Sequence, residues 1–384
     1  MRRIRLRSDS WQGATPVSAR PAPAHALPTA AEQVTLRRPA TPTADFVPLP
    51  QPSGPPPFRV RLADVLEPDR MASIDRAGLI RFHCVGDTGG WRDGRPQRGV
   101  AEAMAEELHG CAPVDFFYHL GDVVYPHGEE AGYRSQFFAP YAAYSAPIFA
   151  VPGNHDAELT PGSRAGTLAG FLKAFCSDAA PLRDAAVRLP RPAVAQPNVY
   201  WTLTHDWLWV VGLYSNVPEG GQLASDQLAW LIGELRAAPG DATVILAMHQ
   251  PVYSADVVHG SNLQLADLLD GRFAEAGRVP DAVFTGHAHN YQRFARRAQG
   301  RQIPYIVAGS GGFHERHGIG TGVRDLPASF PGLEGVTLES FQCREHGFMT
   351  VSARRTGAEV VYSTVSHGVA RHFDSFRIAP ARLT

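Results

Sequence analysis

Six side chains in this sequence are metal-binding types placed where a metal could use them. They are Asp87 in GDTG (86–89), Asp122 in GDVVY (121–125), Asn154 in GNHD (153–156), His249 closing LAMH (246–249), and His287 and His289 in GHAH (286–289). Taken singly, each has an ordinary explanation. An aspartate after an apolar run is a common turn former or helix cap, and a histidine such as His249 is often a core or capping residue. GHAH is stronger, because two imidazoles two residues apart enter one cleft only if the loop bends. Together the six offer three oxygen and three nitrogen donors, a mixture that suits iron, zinc or manganese rather than calcium. A pair of metals sharing one carboxylate needs about four protein donors each, so one place is still to be filled. Tyr125 fills it, three residues after Asp122 in a loop that must already face the site. A phenol ordinarily ionises near pH 10, about 10 being its unperturbed pKa. Only a strongly charged, hard cation would hold it as phenolate at neutral or acid pH. Fe(III) meets that demand, whereas Zn(II) and Mn(II) meet it poorly.

The segments before these residues share one texture. GLIRFHCVG (78–86), VDFFYHLGD (114–122) and APIFAVPGNHD (146–156) are short apolar runs, each ending in Gly and polar residues. Between the first two, QRGVAEAMAEELHG spaces its apolar residues as a helix does and stops at Gly110,. Strand, helix, strand predicts βαβ units and a largely parallel sheet. Residues 198–216 alternate as an antiparallel pair, and 225–238 read as an amphipathic helix opened by Ser225 and Asp226,. ATVILAMHQ (242–250), DAVFTGHAH (281–289) and IPYIVAGSGG (303–312) repeat the strand-then-loop pattern, and 347–364 read as two closing strands. Ligands in open α/β sheets collect at the carboxyl ends of the strands, which predicts that these loops meet at one site.

The rest of the composition excludes more than it proposes. A net charge of −1 gives no footing for wholesale nucleic-acid or anionic-membrane binding,. No apolar run is long enough to span a bilayer, for which about 18 residues are needed. The start, MRRIRLRSDSWQG, is cationic but lacks the apolar core of an export signal, so a cytoplasmic location is the default expectation,. Residues 1–57, rich in Pro and Ala from position 14, predict a disordered arm with a possible partner of its own; 58–77 form a lead-in and 78–384 the catalytic domain,. Cys84, Cys111, Cys176 and Cys343 are too scattered for a zinc knot, with Cys84 expected buried and a disulfide among the others left open,.

GDTG, GDVVY, GNHD, LAMH and GHAH, in that order, resemble the five blocks of the calcineurin-like metallophosphoesterases. Gly89 with Tyr125, in place of a histidine two residues after the first aspartate, resembles their purple acid phosphatase branch. The match covers roughly residues 78–312, and HQPVYS and GHAHNYQR extend it. The resemblance implies a four-layer αββα sandwich of mixed sheets. It implies Fe(III) on Asp87, Asp122, Tyr125 and His289, and a divalent metal (Fe, Zn or Mn) on Asp122, Asn154, His249 and His287, with Asp122 bridging. It further implies His155 as a phosphate donor and His259, in VVHG, as a residue that protonates the leaving group. The N-terminal β-domain of the large plant-type members has no counterpart here.

The implied reaction is hydrolysis of small-molecule phosphate monoesters, hydroxide generated at the dinuclear centre attacking phosphorus in line. A phosphodiesterase or nucleotide hydrolase on the same centre, or a non-catalytic metal-binding scaffold, are the alternatives. Other residues near the blocks have weaker expectations: His127 at a loop surface, His314 or His317 near substrate, and Tyr291 and Arg293 in supporting packing.

Overall fold

The computed structural model describes residues 49–384, apart from 109, 111–112, 178–193, 216–220, 321, 324 and 382–384. In chain order its first half carries β1 (Arg59–Arg61), α1 (Pro68–Ala77), β2 (Ile80–Val85), α2 (Arg95–Leu108), β3 (Phe116–His119), α3 (Glu130–Tyr133), β4 (Ile148–Ala150), α4 (Asn154–Ala157) and α5 (Ala169–Phe175). The middle adds β5 (Trp201–His205), β6 (Leu208–Gly212), α6 (Ser225–Ala237), β7 (Thr243–Ala247), α7 (Leu263–Ala276) and β8 (Ala282–Thr285). The last third is all strand: β9 (Tyr291–Ala298), β10 (Arg301–Ala308), β11 (Ala328–Ser329), β12 (Val336–Gln342), β13 (His346–Arg354), β14 (Gly357–Ser366) and β15 (Val369–Ile378).

Two mixed sheets result. One has the order β15-β14-β13-β2-β3-β4, the other β1-β5-β6-β7-β8-β10-β9-β12-β11. In the first, β2, β3 and β4 run parallel; in the second, β6, β7, β8 and β10 do. Phe82, Phe116, Tyr118 and Met349 from one sheet meet Trp201, Ile245, Phe284 and Ile306 from the other in a central core. Leu231, Leu235, Leu265 and Phe273 of α6 and α7 cover the outer face of the larger sheet. Val100 and Met104 of α2 cover the smaller one. This is the four-layer αββα sandwich the resemblance implied. Covering both faces explains why β2 and β7 read as near-continuous apolar runs instead of alternating,.

The expected antiparallel pair is β5 and β6. Residues 347–364 hold the two closing strands expected, β13 and β14, and β15 adds to β14 beyond them. Helix α6 starts one residue earlier than expected: its N-cap is Ala224 with no side-chain cap, so Ser225 lies inside the first turn. Ser53 and Gly54 donate backbone bonds to Pro197 O, and β1 pairs with β5. Cys84, Cys176 and Cys343 are free thiols, with Cys84 buried as expected; Cys111 lies outside the described residues. Among the described residues no helix is long and apolar enough to cross a membrane.

The sheets are stitched together at the carboxyl ends of their parallel strands. Gly86 N donates to Ala308 O (2.9 Å), Gly311 N to Gly86 O (3.1 Å) and Phe313 N to Asp87 O (2.9 Å). That seam is where the candidate donors lie.

Candidate metal centre

Three of the candidate residues leave their strands through the left-handed region: Asp87 at φ 59°, Asp122 at φ 53° and His287 at φ 69°. A non-glycine residue held there costs of order 1–3 kcal/mol and persists where its surroundings over-determine it. Asp87 N donates to Gly121 O (2.9 Å), and Thr88 N to Asp122 O (3.2 Å), so the two aspartate loops fix each other. Gly153 allows the next loop to close in. A Cβ there would lie 2.1 Å from Asp122 Oδ1, so only glycine admits this approach,.

The donors form two groups that share one wall. In the first, Tyr125 Oη lies 3.1 Å from Asp87 Oδ1 and 3.3 Å from His289 Nε2, and His289 Nε2 lies 3.6 Å from Asp87 Oδ1. In the second, His249 Nε2 lies 3.2 Å from both Asp122 Oδ2 and His287 Nδ1. The donor atoms of Asp122, His249 and His287 all fall within 4.8 Å of one another, a spacing that could hold a metal ion. His287 N donates to Asp87 Oδ2 (2.8 Å), tying the two groups together. Asn154 is buried, and its Oδ1 has no hydrogen-bond partner.

The proton inventory tests whether a cation fits. His249 Nδ1–H donates to Leu120 O (2.8 Å) and His289 Nδ1–H to Glu315 O (2.8 Å), which leaves each Nε2 as a lone pair facing carboxylates. Adding Asn154 Oδ1, the seam holds more acceptors than protons, a costly state in a buried site unless positive charge enters. The donor set therefore fits metal ions. In their absence the groups compete for protons. Burial pushes the Asp87 carboxyl up to about 8, with Asp122 adding to the rise against His249. Burial opposes protonation of His249, yet Asp122 and Asp87 lift it to about 9. Asp122 itself, despite burial, is held low by His249 and His155.

Gly89 and Tyr125 are coupled sterically. A Cβ at position 89 would lie 2.7 Å from Tyr125 Cδ2, 2.9 Å from Gln136 Oε1 and 3.0 Å from Val124 Cα. The tyrosine ring thus occupies the space that a side chain at 89 would need. It stacks on Phe313 (ring centroids 4.0 Å apart) and is fully buried, and burial with two nearby aspartates pushes its pKa well above the ordinary value. Only a cation at the hydroxyl would reverse that push.

His155 follows Asn154 with its ring 4.5 Å from Tyr125. Its Nδ1–H donates to Pro126 O (2.8 Å) and lies 3.1 Å from Glu158 Oε2. Burial works against its charge, but Asp122 and then Glu158 raise it to about 10. The His259 ring lies 4.0 Å from that of His287, so all nine expected site residues lie in this one region. Among the others, His317 stacks on His289 (4.3 Å) while His314 sits 6.3 Å from Trp91. Tyr291 and Arg293 bind Asp374 of β15 rather than the centre. Two supporting residues were not anticipated. His119 bonds Thr88 Oγ1 (2.8 Å) and Gly121 N (3.1 Å), and Asp156 accepts from Gly153 N (2.9 Å), Val123 N (3.2 Å) and Tyr133 (2.9 Å). Their signal was their position, one strand end and one block residue, but neither type announces a bracing role.

Residues 80–291, more than half of the sequence, match the family of calcineurin-like phosphoesterases. The chain belongs to that family. It is 30% identical over 130 residues to purple acid phosphatase 21 of Arabidopsis thaliana, covering 32% of this chain and 29% of that protein. It is 25% identical over 194 residues to probable purple acid phosphatase 20 of the same plant, covering 48% and 41%. The matched stretches therefore span less than half the length of these relatives. In fold it is similar to purple acid phosphatase PPD1 from yellow lupin (Lupinus luteus) seeds, with TM-score 0.56 and 17% identity over 78% of this chain and 54% of that one. It is equally similar to GAP50, the anchor in the inner membrane complex of Plasmodium, with TM-score 0.55 and 17% identity over 79% and 89%. One architecture thus serves a phosphatase and an anchor, and function must be argued from the site.

Proposed function

We propose that this calcineurin-like phosphoesterase hydrolyses phosphate monoesters of small molecules at a dinuclear Fe(III)–M(II) centre. The observation that carries the reading is the pair of adjoining donor groups, tied by His287 N to Asp87 Oδ2, with Tyr125 in the group that includes Asp87 and His289. Asp87, Asp122, Tyr125 and His289 would hold the ferric ion; Asp122, Asn154, His249 and His287 would hold the divalent one. The tyrosine favours iron in the first place, since a phenolate needs a hard, highly charged partner. Two cations so held would neutralise the phosphoryl oxygens and acidify a water for attack in line with the leaving group.

The chain's own residues do the rest. His155 has Nδ1 committed to Pro126 O and Glu158, so its remaining N–H, on Nε2, is the one offered to a phosphoryl oxygen. In the metal-free protein Asp122 and then Glu158 favour its charge against burial, and the Glu158 contact would go on supporting a cationic donor once Asp122 holds metal,. As the P–O ester bond breaks and the water oxygen bonds phosphorus, the departing alkoxide takes a proton, which His259, its ring 4.0 Å from that of His287, would give,. No covalent phospho-enzyme is required.

Relative rates on p-nitrophenyl phosphate and bis(p-nitrophenyl) phosphate, with metal analysis of the same protein, test the reading. A clear preference for the monoester supports it. Preference for the diester assigns the same centre to phosphodiester hydrolysis. Metal-loaded protein inert on both would favour a scaffold.

A further inference from the structure

Asp256 belongs to none of the five motif blocks, yet it is fully buried beside them. Its Oδ1 accepts from Val258 N (2.7 Å) and from His259 N (2.7 Å), folding residues 256–259 into a tight side-chain turn,. Its Oδ2 accepts from Asn290 Nδ2 (2.7 Å), next to His289. His317 Nδ1 lies 3.3 Å from Oδ1 of the same carboxylate, without an aligned hydrogen bond. The backbone repeats the connection: Val257 N donates to Gly318 O (3.1 Å), Gly320 N to Ala255 O (2.9 Å) and His317 N to His289 O (3.2 Å). One carboxylate thus joins the loop of His259, the GHAH block and the loop of His317.

Joining these loops has a consequence for direction. His259 lies on a loop whose two preceding residues, Val257 and Val258, are 53% and 47% exposed, so apolar burial does little to fix it. The bond to its own amide and the imidazoles around it do so instead. The His259 ring stands 4.0 Å from His287, 5.2 Å from His317 and 6.5 Å from His289. We propose that Asp256 is a positioning residue for the leaving-group side of the site, holding the His259 imidazole where the departing oxygen emerges. This rests on the hydrolase reading above. Asp256 touches neither substrate nor metal; it acts through His259, with His317 as a strut between the two loops.

The test compares Asp256→Ala, Asp256→Asn, His259→Ala and the double variant Asp256→Ala/His259→Ala on two monoesters. One has a good leaving group (p-nitrophenyl phosphate) and the other a poor one (a simple alkyl phosphate). Losing a positioned proton donor costs about 10²-fold or more, and costs most when the leaving oxygen needs the proton. Asp256→Ala should therefore lower kcat for the alkyl ester by about that factor and for the p-nitrophenyl ester by several-fold less. Affinity for inorganic phosphate, read by calorimetry, should stay within about twofold because the phosphate contacts are untouched. Asp256→Asn should recover part of the loss, since its amide oxygen can still accept from both backbone N–H groups while its Nδ2 now faces the Asn290 amide donor. The double variant should be no slower than His259→Ala alone. Equal losses on both esters, independent losses in the double variant, or no recovery by asparagine would overturn the inference while leaving the hydrolase reading intact. A wild-type protein inert on both esters would bring down both.

Discussion

The two sheets contribute different chemistry to the seam. Asp87, Asp122 and Asn154, all oxygen donors, follow β2, β3 and β4 of the six-stranded sheet. His249, His287 and His289, all nitrogen donors, follow β7 and β8 of the nine-stranded sheet. The oxygen side is held by backbone: the loops of Asp87 and Asp122 exchange main-chain bonds, His155 N donates to Asp122, and Gly153 N and Val123 N both donate to Asp156. The nitrogen side is held through imidazole Nδ1 atoms donating to carbonyls, one of them Leu120 O across the seam. Neither half is a site by itself. Carboxylate and amide oxygens lie on one side and imidazole nitrogens on the other, so the donor set is completed only when the sandwich packs. Tyr125 is the exception that makes the comparison informative, since it leaves the oxygen side to reach His289.

Removing Asp122, the residue proposed to bridge the two metals, should have the largest effect. Asp122→Ala is expected to lose metal from the protein and to lower kcat/KM by more than the ~10–100-fold typical of an outer-shell partner. Metal content and activity of one preparation check this. Loss of only one metal, with the other retained, would show that the halves are more independent than described.

Gly89→Ala probes the tyrosine's place. With a Cβ 2.7 Å from Tyr125 Cδ2, overpacking should cost about 1–3 kcal/mol and lower the denaturation midpoint,. In a double-mutant cycle, Gly89→Ala should cost less in a Tyr125→Ala background but still cost something, because Gln136 and Val124 also crowd the position,. Strictly additive losses would argue against the coupling.

Protons sharpen the comparison further. In metal-free protein Asp87, raised to about 8, and His249, raised to about 9, both hold protons at pH 7. Metal must displace them, so affinity should rise with pH by about tenfold per unit for each proton released until these groups ionise. Calorimetry in two buffers of different ionisation enthalpy counts the protons.

A pH dependence of stability concerns His119, the brace behind the oxygen side. Burial lowers it from 6.5 to about 3. Its folded value lies below its unfolded one, so the unfolded chain binds the extra proton and acid favours unfolding. The stability is whole above about 6.5 and is lost as pH falls toward 3, by up to about 1.4 kcal/mol per pH unit,. Urea midpoints of metal-free wild type and His119→Gln at pH 7 and pH 5 should converge on acidification.

The strand ends and their donors were legible in the sequence because apolar runs closed by Gly and a polar residue mark one kind of place. Which sheet each strand joins was not, since β2 and β7 look alike as buried parallel strands. β9 and β15 were missed for the opposite reason. Arginines at 293, 296 and 297 and the polar VARHFDSFRI pattern face solvent or ion pairs, so little apolar alternation survives. Helix α7 carries readable signals, the Asn262 cap and Gly277, at its two ends. The left-handed backbone at Asp87, Asp122 and His287 has no sequence mark, because aspartate and histidine occur in every kind of turn,. Asp256 stayed hidden for a related reason, since it meets Asn290 and His317 only through folding.

The central claim is that Tyr125, with room provided by Gly89, completes the iron place where a histidine would otherwise stand. The visible absorption spectrum of purified protein, with metal analysis of the same sample, tests it most directly. The account predicts a broad tyrosinate-to-Fe(III) charge-transfer band that disappears in Tyr125→Phe while iron remains bound. Iron-free, colourless protein that cleaves phosphoesters with Mn or Zn, or a band that survives Tyr125→Phe, would contradict it.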